Sequence, residues 1–311
     1  INTSDPEYYR WTQWCFLQLF KKGLAYQKES YQWWCPNDQT VLANEQVENG
    51  HCWRCGSEVE KKKMKQWFFK ITAYADELLD EIDQLDWPEK IKTMQKNWIG
   101  RSEGAKVKFK IKHLSDTIDI FTTRLDTICG ATFLVLAPEH PKIPDLITNK
   151  TAEEVKNYCA AAIKKSEIER QENKEKTGVF TGSFAINPAT KEEIPIWVSD
   201  YVLINYGDGA VMAVPGHDER DFAFASKYQL EIRTVVKPTE SNNQLGVQNE
   251  VIPQCFKDRG IIINSGKYDN LTSKEAEHQI LSDLGENVAS RQVTYRMRDW
   301  LISRQRYWGC P

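Results

Sequence analysis

A chain of 311 residues that is 41% hydrophobic and carries a formal charge of -3 can bury a substantial core, and its length favours two or more structural units. That balance excludes a disordered tail or a basic nucleic-acid clamp, so any RNA contact must be local. No apolar run reaches the roughly 18 residues of a membrane span, and the start lacks the regions of a signal peptide. Eight cysteines are too sparse for a disulfide scaffold, which points to a reducing, cytoplasmic setting without membrane contact. The chain opens without Met and stops at Pro311, just after Arg304-Gln305-Arg306-Tyr307-Trp308-Gly309-Cys310, so the expectation is a piece of something longer.

Asp5, Pro6, Glu7 and Gly23 predict a helix near 6–22, with Asp5 as cap and Gly23 as terminator. Tyr8, Trp11 and Cys15 share a stripe that Trp14, Leu17 and Phe20 widen, an apolar face suited to docking on a larger body. Turn signals at Pro36-Asn37, Glu48-Asn49-Gly50 and Cys55-Gly56 divide 31–58 into a ribbon of short hairpins. A strand near 66–71 and helices near 72–85 and 88–97 follow. Lysines 106, 108, 110 and 112 then alternate with Val107, Phe109 and Ile111, the period of a half-buried strand that 117–122 can pair with.

Further on, the pattern predicts a strand at 132–136, a helix near 151–165 and a solvated charged stretch from Lys164 to Lys176. Strands are expected from Gly178, over 194–203, 210–214 and 232–236, with a helix from Asp218 to Tyr228. The fold class is α/β, a bent or barrel-like sheet with surrounding helices over 101–288. The remaining segments are a helix at 1–30, a cysteine ribbon at 31–70, a helical connector at 71–100 and a return strand at 289–311.

Cys35, Cys52 and Cys55 supply three ligands of a structural zinc site, with Asp38 or His51 as the fourth. A ribbon held without metal by Trp33, Trp34 and Trp53 is the alternative. Lys61 to Lys65 reads either as an RNA phosphate contact or as a solvated face.

Two segments carry the chemistry. Thr122-Thr123-Arg124-Leu125-Asp126-Thr127 leaves the end of a strand, and its hydroxyls and methyls can line a pocket and set a steric wall, or merely make a structural turn. The second, Gly209 to Asp221, places Met212 and Val214 on one strand face and Asp218 as a helix cap. Asp221, three residues on, is either a first-turn acid or a counter-ion for an ammonium group. His217 reads better as an orienting hydrogen-bond partner than as a general base, since no serine or cysteine occupies a nucleophile position.

These segments, with Gly130-Ala131-Thr132, Leu136-Ala137-Pro138-Glu139-His140, Lys176 to Gly182, Cys35 to Val47 and Arg298 to Gly309, closely resemble the bacterial-type leucyl-tRNA synthetases across essentially the whole chain. The resemblance implies that 101–288 is the inserted editing domain, flanked by the ribbon and by the edges of a class I Rossmann catalytic domain. H-I-G-H and K-M-S-K-S are absent, so synthesis of leucyl-tRNA, with its ATP and Mg, would belong to the full-length enzyme.

It implies that Thr122 and Thr123 contact the aminoacyl-adenosine, that Thr127 blocks leucine and that Asp221 binds the α-ammonium. Tyr206, Met212 and Val214 match pocket-lining positions, and Arg124, His217 and Asp218 fall within the matched motifs. Leu125 replaces the usual proline and Asp208 the usual threonine, a looser turn and an added charge near the pocket.

The implied reaction is hydrolysis of the ester on tRNA(Leu) carrying norvaline, isoleucine or methionine, by a monomer that needs no metal for editing. A second sieve suits this class because a methylene difference in a synthetic pocket is worth only about 1–3 kcal/mol. The rivals are the editing region of isoleucyl- or valyl-tRNA synthetase and a non-catalytic RNA-binding ribbon.

Overall fold

The computed structural model describes residues 2–48, 50–165, 169–170, 175–204, 207–239 and 255–303. Tyr206 and the Arg304 to Gly309 motif lie outside the described residues. Chain contacts divide the protein into two units, 1–101 with 295–311, and 102–294.

In the first unit, α1 (Pro6–Lys21) begins at Pro6, whose missing N–H costs a helix nothing at its first turn, and Gly23 follows its end at φ +71°. The expected cap is not made: the Asp5 side chain bonds Asn2 instead of the helix N–H groups. Only Phe16 is buried on α1, set edge-on to Trp67 at 5.0 Å, while Tyr8, Trp11, Trp14, Leu17 and Phe20 stay exposed.

The ribbon is larger and less local than its turn signals suggest. β1 (Ala25–Cys35) pairs along nearly its whole length with the distant β5 (Glu60–Phe69), and its end also pairs with its neighbour β2 (Thr40–Leu42) in an expected hairpin. The short pieces β3 (Val47–Glu48) and β4 (His51–Cys52) pair antiparallel as a second hairpin in the chain between β2 and β5. In the β1–β5 register Trp33 stands opposite Lys61 and Trp34 opposite Glu60; the Lys61 ammonium lies over the Trp33 ring at 5.1 Å and the Lys62 ammonium over the Trp34 ring at 5.0 Å. Lys63 pairs with Glu29 at 2.8 Å. The connector holds α2 (Ala75–Glu81), between 3-10 turns, and α3 (Glu89–Ile99).

The second unit is built on strands whose alternation assigns each face. In β6 (Arg101–Ile111) Ala105, Val107, Phe109 and Ile111 are buried, with the lysines between them turned out, and β7 (Thr117–Thr122) pairs with it antiparallel. β8 (Phe133–Leu136) is buried on both faces, Leu134 and Leu136 entering the main core and Phe133 and Val135 a smaller aromatic one. After α4 (Ile143–Leu146) and α5 (Ala152–Lys164) come β9 (Gly178–Ile186), β10 (Glu193–Ser199) and β11 (Ala210–Ala213). The unit continues with α6 (Glu219–Tyr228), the β12 (Val236–Lys237) and β13 (Ile261–Ile262) pair, α7 (Ser273–Leu284) and β14 (Ala289–Tyr295). β15 (Trp300–Leu301) then returns to β5 in the first unit's sheet.

The second unit's sheet runs β11-β8-β10-β9-β6-β14, with β7 also on β6. It curls until β11 lies beside β7, yet among the described residues no ladder joins those two strands, so the sheet is strongly bent and open instead of a closed barrel. Two expectations change here. The strand expected at 232–236 forms ladder bonds only at Val236–Lys237. The stretch from Lys164 to Lys176 is not wholly solvated, because Arg170 is 1% exposed and bonds Glu139 at 2.7 Å and the Asp200 and Val202 carbonyls. A guanidinium can be buried there because a carboxylate and two carbonyls take up its donors.

Candidate functional site

The curl of the sheet brings together two chain segments far apart in sequence. Thr122 ends β7, and Val214 follows β11, so the turns leaving these adjacent strands emerge side by side. Loops at the ends of a rigid sheet are where functional groups can be held without disturbing a core.

The first turn is anchored from within. Thr122 Oγ1 accepts the Arg124 N–H at 3.0 Å, and residues Leu125–Gly130 close into a buried 3-10 turn. Leu125, in place of a proline, is 3% exposed and packs in the main core, so apolar burial holds the turn here. Asp126 is fully buried and takes the Arg124 guanidinium at 3.0 and 3.1 Å. Thr127 is buried too, its hydroxyl donating to the Arg124 carbonyl at 2.9 Å, whereas Thr123 is exposed. Thr127's hydroxyl is thus committed to the turn, which fixes its rotamer.

In the second segment Ala210, Met212 and Val214 enter the main core while Val211 and Ala213 face the aromatic one, the alternation its sequence predicts. Asp218 caps α6 by accepting the Arg220 and Asp221 N–H groups. Burial opposes its ionisation, but the Arg220 guanidinium and the helix N–H groups outweigh that and hold its carboxyl below the usual range. Asp221 is buried at 6% exposure, with one oxygen accepting the Val214 N–H at 2.9 Å and the other the Tyr201 hydroxyl at 3.0 Å. Burial pushes its carboxyl up to about 7; the Asp218 charge adds to the rise, and Val214, Tyr201 and Arg220 oppose it.

Two further contacts tie the segments together. Gly130, closing the first turn, approaches Val214 so nearly that an added Cβ would sit 3.2 Å from its methyl and 2.8 Å from Val235. The backbone at 256–258 bridges the rest: Arg124 donates to the Lys257 and Asp258 carbonyls, and His217 Nδ1 lies 2.6 Å from the Phe256 carbonyl. His217 Nε2 accepts the Val235 and Val236 N–H groups at 2.9 and 3.1 Å, which makes Nδ1 the donor. Both ring nitrogens are occupied by backbone, and burial lowers the imidazole's pKa, so His217 is a neutral brace.

Asp208 lies near Lys106, 3.5 Å from its ammonium, so the added charge faces a cation. A separate groove of about 510 Å³ opens against the outer side of the first turn, where Thr122, Thr123 and Leu125 meet Arg259, Lys274 and Arg291. Among the described residues neither Thr127 nor Asp221 lines it.

In the ribbon, one ligand atom from each of Cys35, Asp38, Cys52 and Cys55 falls within 4.8 Å of every other. Asp38, not His51, completes the set; His51 is exposed at the edge of β4. Cys35 Sγ and Cys55 Sγ are 3.4 Å apart, and the Cys52 thiol lies 3.4 Å from the Asp38 carboxylate. Hydrogen bonds from Ser57 bring the Cys55 thiol down to about 7, while burial pushes Cys35 up to about 11.

The family profile described as leucyl-tRNA synthetase, editing domain, matches residues 96–285. The chain belongs to the leucyl-tRNA synthetase family. A second profile, tRNA synthetases class I (I, L, M and V), matches 1–104. Among similar proteins are leucine–tRNA ligases of Clostridium perfringens, 54% identical, and of Caldanaerobacter subterraneus, 55% identical, each aligned over all of this chain. The chain spans 37% of the length of these curated relatives. A solved relative is the LeuRS of Agrobacterium radiobacter K84, crystallised as a ternary complex with tRNA and LeuAMS. It is 39% identical with a TM-score of 0.76, over 99% of this chain and 35% of that one. The leucyl type therefore displaces the isoleucyl and valyl alternatives.

Inspection of the sequence alone passes over Tyr201, Asp126 and the 256–258 backbone. Asp126 lies inside the matched motif and could have been paired with Arg124 two residues away. For Tyr201, twenty positions from its partner, no local signal exists.

Proposed function

We propose that this chain carries the proofreading step of a leucyl-tRNA synthetase, hydrolysing the ester between a noncognate amino acid and the terminal adenosine of tRNA(Leu). The observation that carries the reading is the buried Asp221 carboxylate, held on the Val214 N–H beside the threonine turn. A carboxylate in such a place receives an ammonium group through a strong charge-assisted hydrogen bond.

In this reading Asp221 fixes the α-ammonium of norvaline, isoleucine or methionine. Thr122 and Thr123 hold the adenosine end, and the locked Thr127 side chain excludes the branched side chain of leucine. Met212 and Val214 line the pocket; Arg124, Asp218 and His217 hold its walls in place. An ester is already activated, so orienting its carbonyl against an ordered water accounts for much of the acceleration. Backbone N–H groups of the threonine turn are the candidates for polarising that carbonyl, with no protein nucleophile and no covalent intermediate.

Zinc fits the ribbon. Three sulfurs and one carboxylate oxygen form a donor set this ion accepts, and the Cys55 thiol is poised to lose its proton. Cys35, Cys52, Cys55 and Asp38 would hold it, and the ion would supply cross-linking of the β1–β5 region, apart from hydrolysis. Activation of leucine with ATP and Mg would belong to the remainder of the synthetase, against which the aromatic face of α1 would pack. The protein would act as a cytoplasmic monomer.

Deacylation of isoleucyl-tRNA(Leu) and leucyl-tRNA(Leu) by this chain, with and without a chelator, tests all of this. The expected result is turnover of the first, sparing of the second and little effect of the chelator. Binding of mischarged tRNA without turnover would replace editing with the RNA-binding ribbon reading.

A further inference from the structure

The Asp221 carboxylate has a partner that neither motif contains. Tyr201 sits in the turn after β10, its ring edge-on to Phe224 of α6 at 5.9 Å, and its hydroxyl donates to Asp221 at 3.0 Å. The other carboxylate oxygen is held by the Val214 N–H. The two donors approach from different elements, one following β10 and one following β11, and between them they engage both carboxylate oxygens.

We propose that Tyr201 is a positioning residue for editing: its hydroxyl aims the Asp221 carboxylate and favours the charged form that receives the substrate ammonium. The role rests on the proofreading reading of Asp221, and the coupling of the two side chains does not. A neutral carboxylic acid offers an ammonium group only a weak partner, so a buried acid in this role needs donors that prefer its anion. The charged and titratable groups facing it are few. Asp218, on its own helix, disfavours the anion; Arg220 favours it, but its guanidinium is engaged by Asp218 at 3.0 Å. The Cys255 thiol, near enough to feel the Asp221 charge, adds none of its own while protonated, and burial raises its pKa. The Val214 N–H belongs to the backbone and is present in every side-chain variant. Tyr201 is therefore the side-chain donor that substitution can remove, and burial keeps its hydroxyl protonated far above the physiological range.

Tyr201→Phe removes one oxygen and keeps the ring against Phe224. Carboxyl-carbon NMR of Asp221 in this chain should show its titration midpoint moving up by about one pH unit, the worth of a hydrogen bond to a charged acceptor. The ratio of variant to wild-type kcat/KM for isoleucyl-tRNA(Leu) should be lowest, about five- to tenfold down, below pH 7 and climb toward one as pH rises. A purely structural defect would give a ratio independent of pH. If the phenylalanine variant fails to fold, 3,5-difluorotyrosine at position 201, a stronger donor, should move the midpoint down instead. An unmoved midpoint in a folded variant overturns the proposal. A moved midpoint in a chain that hydrolyses no ester keeps the Tyr201–Asp221 coupling and removes the editing function it was meant to serve.

Discussion

The ribbon cluster and the Asp221 site assemble polar side chains in opposite ways. All four donors of the ribbon come from residues 35–55, brought together by tight turns between two paired strands. The Asp221 site draws on 122–130, 201, 214–221 and 256–258, and depends on a sheet curling far enough to set β11 beside β7. A site made by local turns can be gained or lost by changing one ligand. One made by sheet closure stands or falls with the core, and in return it can bury a carboxylate.

The largest effect is expected at that carboxylate. Asp221→Ala should lower deacylation of isoleucyl-tRNA(Leu) by about 100-fold or more, since losing one member of a buried charge pair costs about 2–5 kcal/mol. The ribbon should keep its metal content in that variant, as measured by zinc analysis of the purified chain. Wild-type rates of ester hydrolysis would show that the ammonium is bound elsewhere.

Next comes the steric wall. Thr127→Ala should release leucine from leucyl-tRNA(Leu) at least about tenfold faster than wild type, the lower end of what one methyl-sized difference achieves. Continued sparing of leucyl-tRNA by this variant would remove Thr127 from discrimination.

A smaller effect follows from pH. Asp221 titrates in the native state near 7, above its ordinary value of 3.8, so the folded chain holds that proton more tightly than the unfolded chain does. Its contribution to stability is complete below pH 4 and is lost as pH rises through 7. Asp221→Asn should therefore gain in Tm relative to wild type between pH 5 and pH 8, read by calorimetry. A gap that is constant with pH would mean that the carboxyl is not strained by its burial.

The smallest effect on editing should come from the ribbon. Cys52→Ser, or a chelator, should remove bound zinc and lower protection of β1 and β5 amides in hydrogen exchange, while deacylation changes less than about twofold. A large loss of editing would show that the two sites are energetically joined.

Much of this was legible in the residues. The alternation at 105–111, the Pro6 start of α1, the Asp218 cap and the three ribbon cysteines are local patterns, and the structure displays each of them. The threonine turn and the Gly209 to Asp221 segment could be picked out by resemblance, which pointed to a family that the comparisons show. Asp38 could not be chosen over His51, because spacing allowed both and only the fold of the turn selects between them. Arg170 looked solvated because its neighbours in sequence are charged, whereas its partners are Glu139, Asp200 and Val202.

By itself the amino-acid order determined the faces of strands and helices, since side-chain direction repeats with the backbone period and needs only near neighbours. The pairing of β1 with β5, the bracing of His217 by three backbone groups and the grip of Tyr201 on Asp221 were decided by the tertiary structure alone. A buried polar atom must find its partner among whatever packing brings within about 3 Å, and distance along the chain places no limit on which residue that is.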